Sequence, residues 1–160
     1  MKKSLLILLT VMVAVCSSLS LGAQAKKASP GTQSKKASPI ALLQRFYTSY
    51  IRSIDRMLEY DQRDSIIATA LTPEMHVKLH RLRVASDMDP LLRQQDPRAG
   101  LEKTFRARQL KGNWYEVSLG EPSELVRIPL HLSLVRGRYM IDFITPPWLG
   151  EAYGDHLMAN

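Results

Sequence analysis

Apolar residues recur three or four positions apart from Ile40 to Leu58, through Leu43, Phe46, Tyr47, Tyr50, Ile51, Ile54 and Met57. Arg45, Arg52, Arg56 and Glu59 fall on the opposite side. That period predicts a long amphipathic helix, capped by Ser38 and opened by Pro39. A break at Tyr60-Asp61-Gln62 leads into a short helix over Arg63 to Ala70. Thr72-Pro73 starts a third helix running to Ala85, whose apolar set is Met75, Val77, Leu79, Leu82 and Val84. Asp87 to Gly100 reads as a loop, with one turn over Leu91 to Gln94.

Beyond Gly100 the period drops to two, the mark of strands. Four are predicted: Lys103 to Leu110, Trp114 to Leu119, Leu125 to Val135 and Arg138 to Thr145. Lys111-Gly112-Asn113, Gly120 to Ser123 and Arg136-Gly137 form the turns between them. Pro129 inside the third strand points to a bulge or an edge position. Helices followed by a hairpin meander give an α+β fold, with a curved four-stranded antiparallel sheet packed on the long first helix.

The N-terminal pattern is different. Lys2 and Lys3 precede an apolar run from Leu5 to Val15, and Ala23-Gln24-Ala25 has the form of a cleavage site. Residues 1–25 therefore read as a secretory signal, too short in its apolar part to span a bilayer. Lipid anchoring through Cys16 is disfavoured, because Val15 before it is not small. Residues 26–38 are a Lys-rich linker in which Lys-Lys-Ala-Ser-Pro is written twice, and it lacks apolar groups to bury. Residues 39–160 form one α+β domain, exported to the periplasm or beyond, with no membrane-spanning segment after cleavage.

Charge and cysteine narrow the chemistry. The chain carries +7 overall, but from Pro39 onward 16 basic residues face 15 acidic ones. The excess sits on the tail, which argues against nucleic acid as a partner. The only cysteine is Cys16, so the exported form has no disulfide and no thiolate. The domain's length excludes a TIM barrel and a full dinucleotide-binding fold. No nucleotide-binding or hydrolase motif is present, and nothing in the sequence calls for a cofactor.

Three groups of residues could carry function. Asp87, Asp89 and Asp96 place carboxylates in one loop, suited either to a cation or partner, or to holding a turn set by Pro90. The spacing is not that of an EF-hand. His76 and His80 share a helix face, which would suit zinc only with a third ligand such as His131 or His156. The residue after His76 is Val77, so the metalloprotease pattern fails. On the outer sheet face, alternation gathers Arg106, Arg108, Trp114, Glu116, Arg127, His131 and Asp142. That face suits a partner surface anchored by Trp114 and Arg127, acid–base chemistry at His131, or plain cross-strand ion pairs.

Phe46-Tyr47 and Tyr50-Ile51 on the first helix, Asp87-Met88-Asp89-Pro90-Leu91-Leu92 with Gln95-Asp96, Trp114-Tyr115-Glu116-Val117, and Tyr139 to Ile144 occur in a recognisable order. The chain thereby resembles a family of exported bacterial proteins of unknown function, over Ile40 to Trp148. Its most specific element is the D-x-D-P-L-L-x-x-Q-D stretch. The resemblance implies a cystatin-like or nuclear-transport-factor-2-like cone, in which the sheet wraps the helix. The family has no assigned activity; with export and the lack of a catalytic motif, the resemblance to non-enzymatic cones points to a non-catalytic module that binds a small molecule or an envelope protein, the apolar mouth between helix and sheet being the default ligand site. The same architecture also hosts isomerases, dehydratases and hydrolases with an Asp/His pair, as well as inhibitor and immunity-type proteins. Such cones pair through the open sheet face, which allows a homodimer.

Overall fold

The computed structural model describes residues 38–150. The signal at 1–25 with Cys16, the linker from Lys26 to Ala37, and His156 lie outside the described residues. The element order is α1 (Pro39–Asp55), α2 (Tyr60–Ala68), α3 (Pro73–Ser86), β1 (Arg106–Gln109), β2 (Trp114–Leu119), β3 (Val126–Val135) and β4 (Arg138–Ile144). The four strands form one antiparallel sheet in the order β1-β2-β3-β4. The fold is thus α+β, three helices packed on an open four-stranded meander. Among the described residues no helix is long and apolar enough to cross a membrane.

Helix α1 starts as expected, with the Ser38 hydroxyl accepting from the Ala41 amide at 3.1 Å and Pro39 in the first turn. It ends one turn early. Leu58 N–H donates to Ser53 O and Met57 N–H to Ile54 O, the paired bonds of a Schellman end. Met57 occupies the left-handed position at φ 51° and is 89% exposed. It is therefore a terminator, not part of the apolar face. Ile40, at 40% exposure, also lies off that face. The break expected at Tyr60 is instead the start of α2, where Gln62 Oε1 accepts from the Glu59 amide at 3.3 Å. On α3, Thr72 caps as expected by accepting from Met75 N–H at 3.2 Å. Only Met75 and Leu79 are buried there, while Val77 and Val84 face solvent.

The core lies between the inner sheet face and α1. Leu43, Phe46, Tyr47, Tyr50 and Ile51 meet Val117, Leu119, Ile128, Leu130, Leu132, Ile141 and Ile144. Leu134, expected inside, is 48% exposed, because the β3–β4 hairpin tip is solvent-facing from Leu134 through Arg138. The expected first strand is shortened. Leu101–Thr104 is a 3-10 turn, fixed by Thr104 Oγ1 accepting from Gly120 N–H at 2.8 Å.

Strand β3 is central, which corrects the edge reading of Pro129. Pro129 C=O accepts from Thr145 N–H just past the end of β4, so its missing donor faces a point where the ladder has stopped. The bulge lies further on, between His131 and Leu132, and Asp142 is the extra residue opposite it. The other flank of β4 is covered by the α2–α3 link, through Ile141 N–H to Ala70 O and Thr72 N–H to Ile141 O.

Candidate functional site

The turn after α3 is held by a network built from three elements. Tyr50, on the buried face of α1, donates its hydroxyl to Asp89 Oδ2. Arg83, in the last turn of α3, donates to the Tyr50 oxygen and, at 3.2 Å, to the same Asp89 Oδ2. The other carboxylate oxygen of Asp89 accepts from Leu91 N–H at 2.8 Å. Asp89 C=O accepts from Leu92 and Arg93, and Asp89 N–H donates to Gln94 O. Pro90, Leu91 and Leu92 are buried beneath. One aspartate thus ties α1, α3 and its own turn together, with every bond carrying a full or partial charge.

The electrostatics fit this structural role. Burial holds the Tyr50 phenol in its protonated form, well above its ordinary pKa, and the Asp89 charge pushes the same way. Burial works against the Arg83 charge, but Tyr50 and Asp89 outweigh it and raise the guanidinium above its usual value. Tyr47, one turn before Tyr50, is also forced upward by burial and then by Asp89. Its hydroxyl is buried with no hydrogen-bond partner among the described residues.

Beside this clamp opens a depression of about 490 Å³, lined by Tyr50, Tyr60, Arg63, Asp64, Ile67, Arg83, Asp87, Met88, Asp89 and Gln95. No strand contributes to it. The expected ligand site, the apolar mouth between helix and sheet, is a different place: this depression is polar and helical. Asp87 stands on its rim, exposed and in the left-handed conformation at φ 50° that ends α3. Gln95 Nε2 donates back to Asp87 O at 3.0 Å and closes the turn.

The three acids of the loop do not share one site: Asp87 and Asp89 line this depression and Asp96 does not. Asp89 is committed to the clamp, Asp87 is on the rim, and Asp96 lines a separate depression of about 460 Å³ with Arg98, Thr104, Gly120, Glu121 and Glu124. His76 and His80 do share a face of α3, but His76 Nε2 lies 2.6 Å from Asp64 Oδ1. His131 is on the far side of the sheet. Among the described residues no group of three or more His, Asp or Glu is placed to hold a metal ion.

The outer sheet face assembles much as alternation implies. Arg108 makes two bonds to Glu116, at 2.8 and 3.1 Å. His131 Nδ1 lies 2.7 Å from Asp142 Oδ1, a contact made possible by the bulge. Trp114, expected as an exposed anchor, is only 6% exposed; its ring packs edge-on against His131 and Phe143 at 5.3 and 5.7 Å. Arg127 lines a depression of about 460 Å³ with Arg106, Arg108, Glu116 and Leu125. The sequence reading missed Tyr50, Arg83, Tyr60, Arg63 and Asp64 as site residues. A signal existed for Tyr50 alone: a tyrosine on a buried helix stripe needs a partner for its hydroxyl.

No family model matches the chain, and no curated protein does. Two solved structures are similar. One is a protein of unknown function from Bacteroides thetaiotaomicron VPI-5482, 35% identical over 67% of this chain and 88% of that one, with a TM-score of 0.60. The chain belongs to the family of that Bacteroides protein. The other is a chain of the type VI native effector–immunity complex Tae3–Tai3 from Ralstonia pickettii. It is 21% identical over 70% of this chain and 97% of that one, with a TM-score of 0.52, and shares the fold.

Proposed function

We propose that the protein is an exported, non-catalytic interaction module of the inhibitor or immunity type, acting through the rim formed by the loop after α3. The observation that carries this reading is the Tyr50–Arg83–Asp89 clamp. A loop tied down by a half-buried charged network is held in one shape before any partner arrives. Pre-ordering of that kind removes part of the entropy that binding would otherwise cost. What the loop presents outward is Asp87 and Gln95, next to the exposed ring of Tyr60 at 58% exposure. The fold shared with a chain of an effector–immunity complex supports a protein as the partner.

The test is affinity capture from a bacterial envelope extract, followed by reconstitution with the purified partner. The expected result is one stoichiometric protein, bound by the wild type and by Arg106→Ala on the sheet face. Asp87→Asn combined with Tyr60→Ala should weaken it at least about tenfold, since a hot-spot contact is worth about 2 kcal/mol or more. Undiminished binding by that rim variant would refute the assignment.

A further inference from the structure

The depression beside the clamp makes a demand of its own. Arg63 enters it from α2, and its Nε–H is buried with no acceptor among the described residues. That buried N–H is itself out of a ligand's reach, but no hydrogen bond within the described residues engages the Arg63 guanidinium, so its remaining N–H groups are left for an acceptor from outside the chain. Arg83 does not compete for it, because Tyr50 and Asp89 engage that guanidinium.

The charges around Arg63 limit what that acceptor can be. Two guanidinium groups, Arg63 and Arg83, line the depression with three carboxylates, Asp64, Asp87 and Asp89. A phosphate or a dicarboxylate would bring a second negative charge into a lining that is already acidic by one. A single carboxylate suits the planar fork of Arg63, provided that a cation on the same ligand faces the aspartates. Ile67, Met88 and the Tyr60 ring supply apolar wall, and about 490 Å³ is within the range of small-molecule sites.

We infer that this depression binds a zwitterion, an α-amino acid or a short peptide, with its carboxylate on Arg63 and its ammonium group toward Asp87 and Asp64. The inference rests on the reading of this rim as the binding face, but it needs no partner protein.

Calorimetric titration of the purified full chain tests it, with L-alanine, L-lysine and the dipeptide alanyl-lysine as probes. L-alanine methyl ester and N-acetyl-L-alanine are the blocked controls. At least one free probe should bind saturably, and both blocked forms of alanine should bind about tenfold or more weakly than L-alanine, the effect of losing one charged hydrogen bond. Arg63→Gln should weaken the free probe to a similar degree without moving the melting temperature by more than a few degrees. A preference for the dipeptide over the free amino acids would identify a chain end as the source, and the reverse preference a free metabolite; either sustains the site. No heat from any probe at millimolar concentration, or equal binding of ester and acid, would overturn it. The ester comparison uses wild-type protein, so it decides the matter even where Arg63→Gln does not fold. Intact zwitterion binding with no protein captured would strike the interaction reading alone.

Discussion

Tyr47 and Tyr50 occupy the same buried stripe of α1, yet their hydroxyls have opposite fates. Tyr50 has Asp89 and Arg83; Tyr47 has no partner among the described residues. Tyr50→Phe leaves a half-buried carboxylate and guanidinium short of one bond, and a loss of about 1–3 kcal/mol is expected in urea melts. Tyr47→Phe removes an unsatisfied polar group and should be neutral or slightly stabilising in the same assay. The two phenols also set a pH dependence. Both are raised above the ordinary value of 10.0 by burial first and Asp89 second. Above about pH 10 the unfolded chain releases these protons while the native state keeps them, so stability present below pH 10 is lost as pH rises. Melts from pH 9 to 11 should show that fall, reduced in Tyr47→Phe; an unchanged fall would remove Tyr47 as a cause.

At the scale of elements, the legible features were those with a local cause. Ser38-Pro39 and Thr72-Pro73 start helices where the sequence places them, and β2 begins and ends as read. The errors came from ends set by backbone geometry that the side chains do not announce. Met57 takes a position usually given to glycine, so the apolar period ran on past the true end of α1. Pro129 looked like an edge residue because the sequence does not show where the neighbouring strand stops. Turns give a sharp test of local geometry. A Cβ at Gly120, with φ 97°, would lie 2.7 Å from Glu124 O, whereas at Gly112, with φ 56°, it meets nothing within 4 Å. Gly120→Ala should therefore cost clearly more than Gly112→Ala, for which about 1 kcal/mol of backbone strain is expected. Equal losses in thermal melts would contradict the close approach at Gly120.

For the whole molecule, the α+β class was legible and the site only partly so. Alternation gathered the outer faces of β1, β2 and β3, because a strand's period fixes its faces, but not that of β4, where the bulge at Asp142 turns Phe143 outward against Trp114. The clamp was invisible for the converse reason: Tyr50, Arg83 and Asp89 come from three segments joined only by tertiary packing. Asp89 could be read as a turn-forming residue, but not as the meeting point of α1 and α3. The central claim is that this meeting point holds the rim in one shape before anything binds. Hydrogen–deuterium exchange of the unliganded protein tests it most directly. The account expects the amides of Asp89, Leu91, Leu92 and Arg93 to exchange nearly as slowly as those of α1, and Asp89→Asn to lose that protection while the sheet keeps its own. Exchange of those four amides at open-chain rates in the wild type would contradict it.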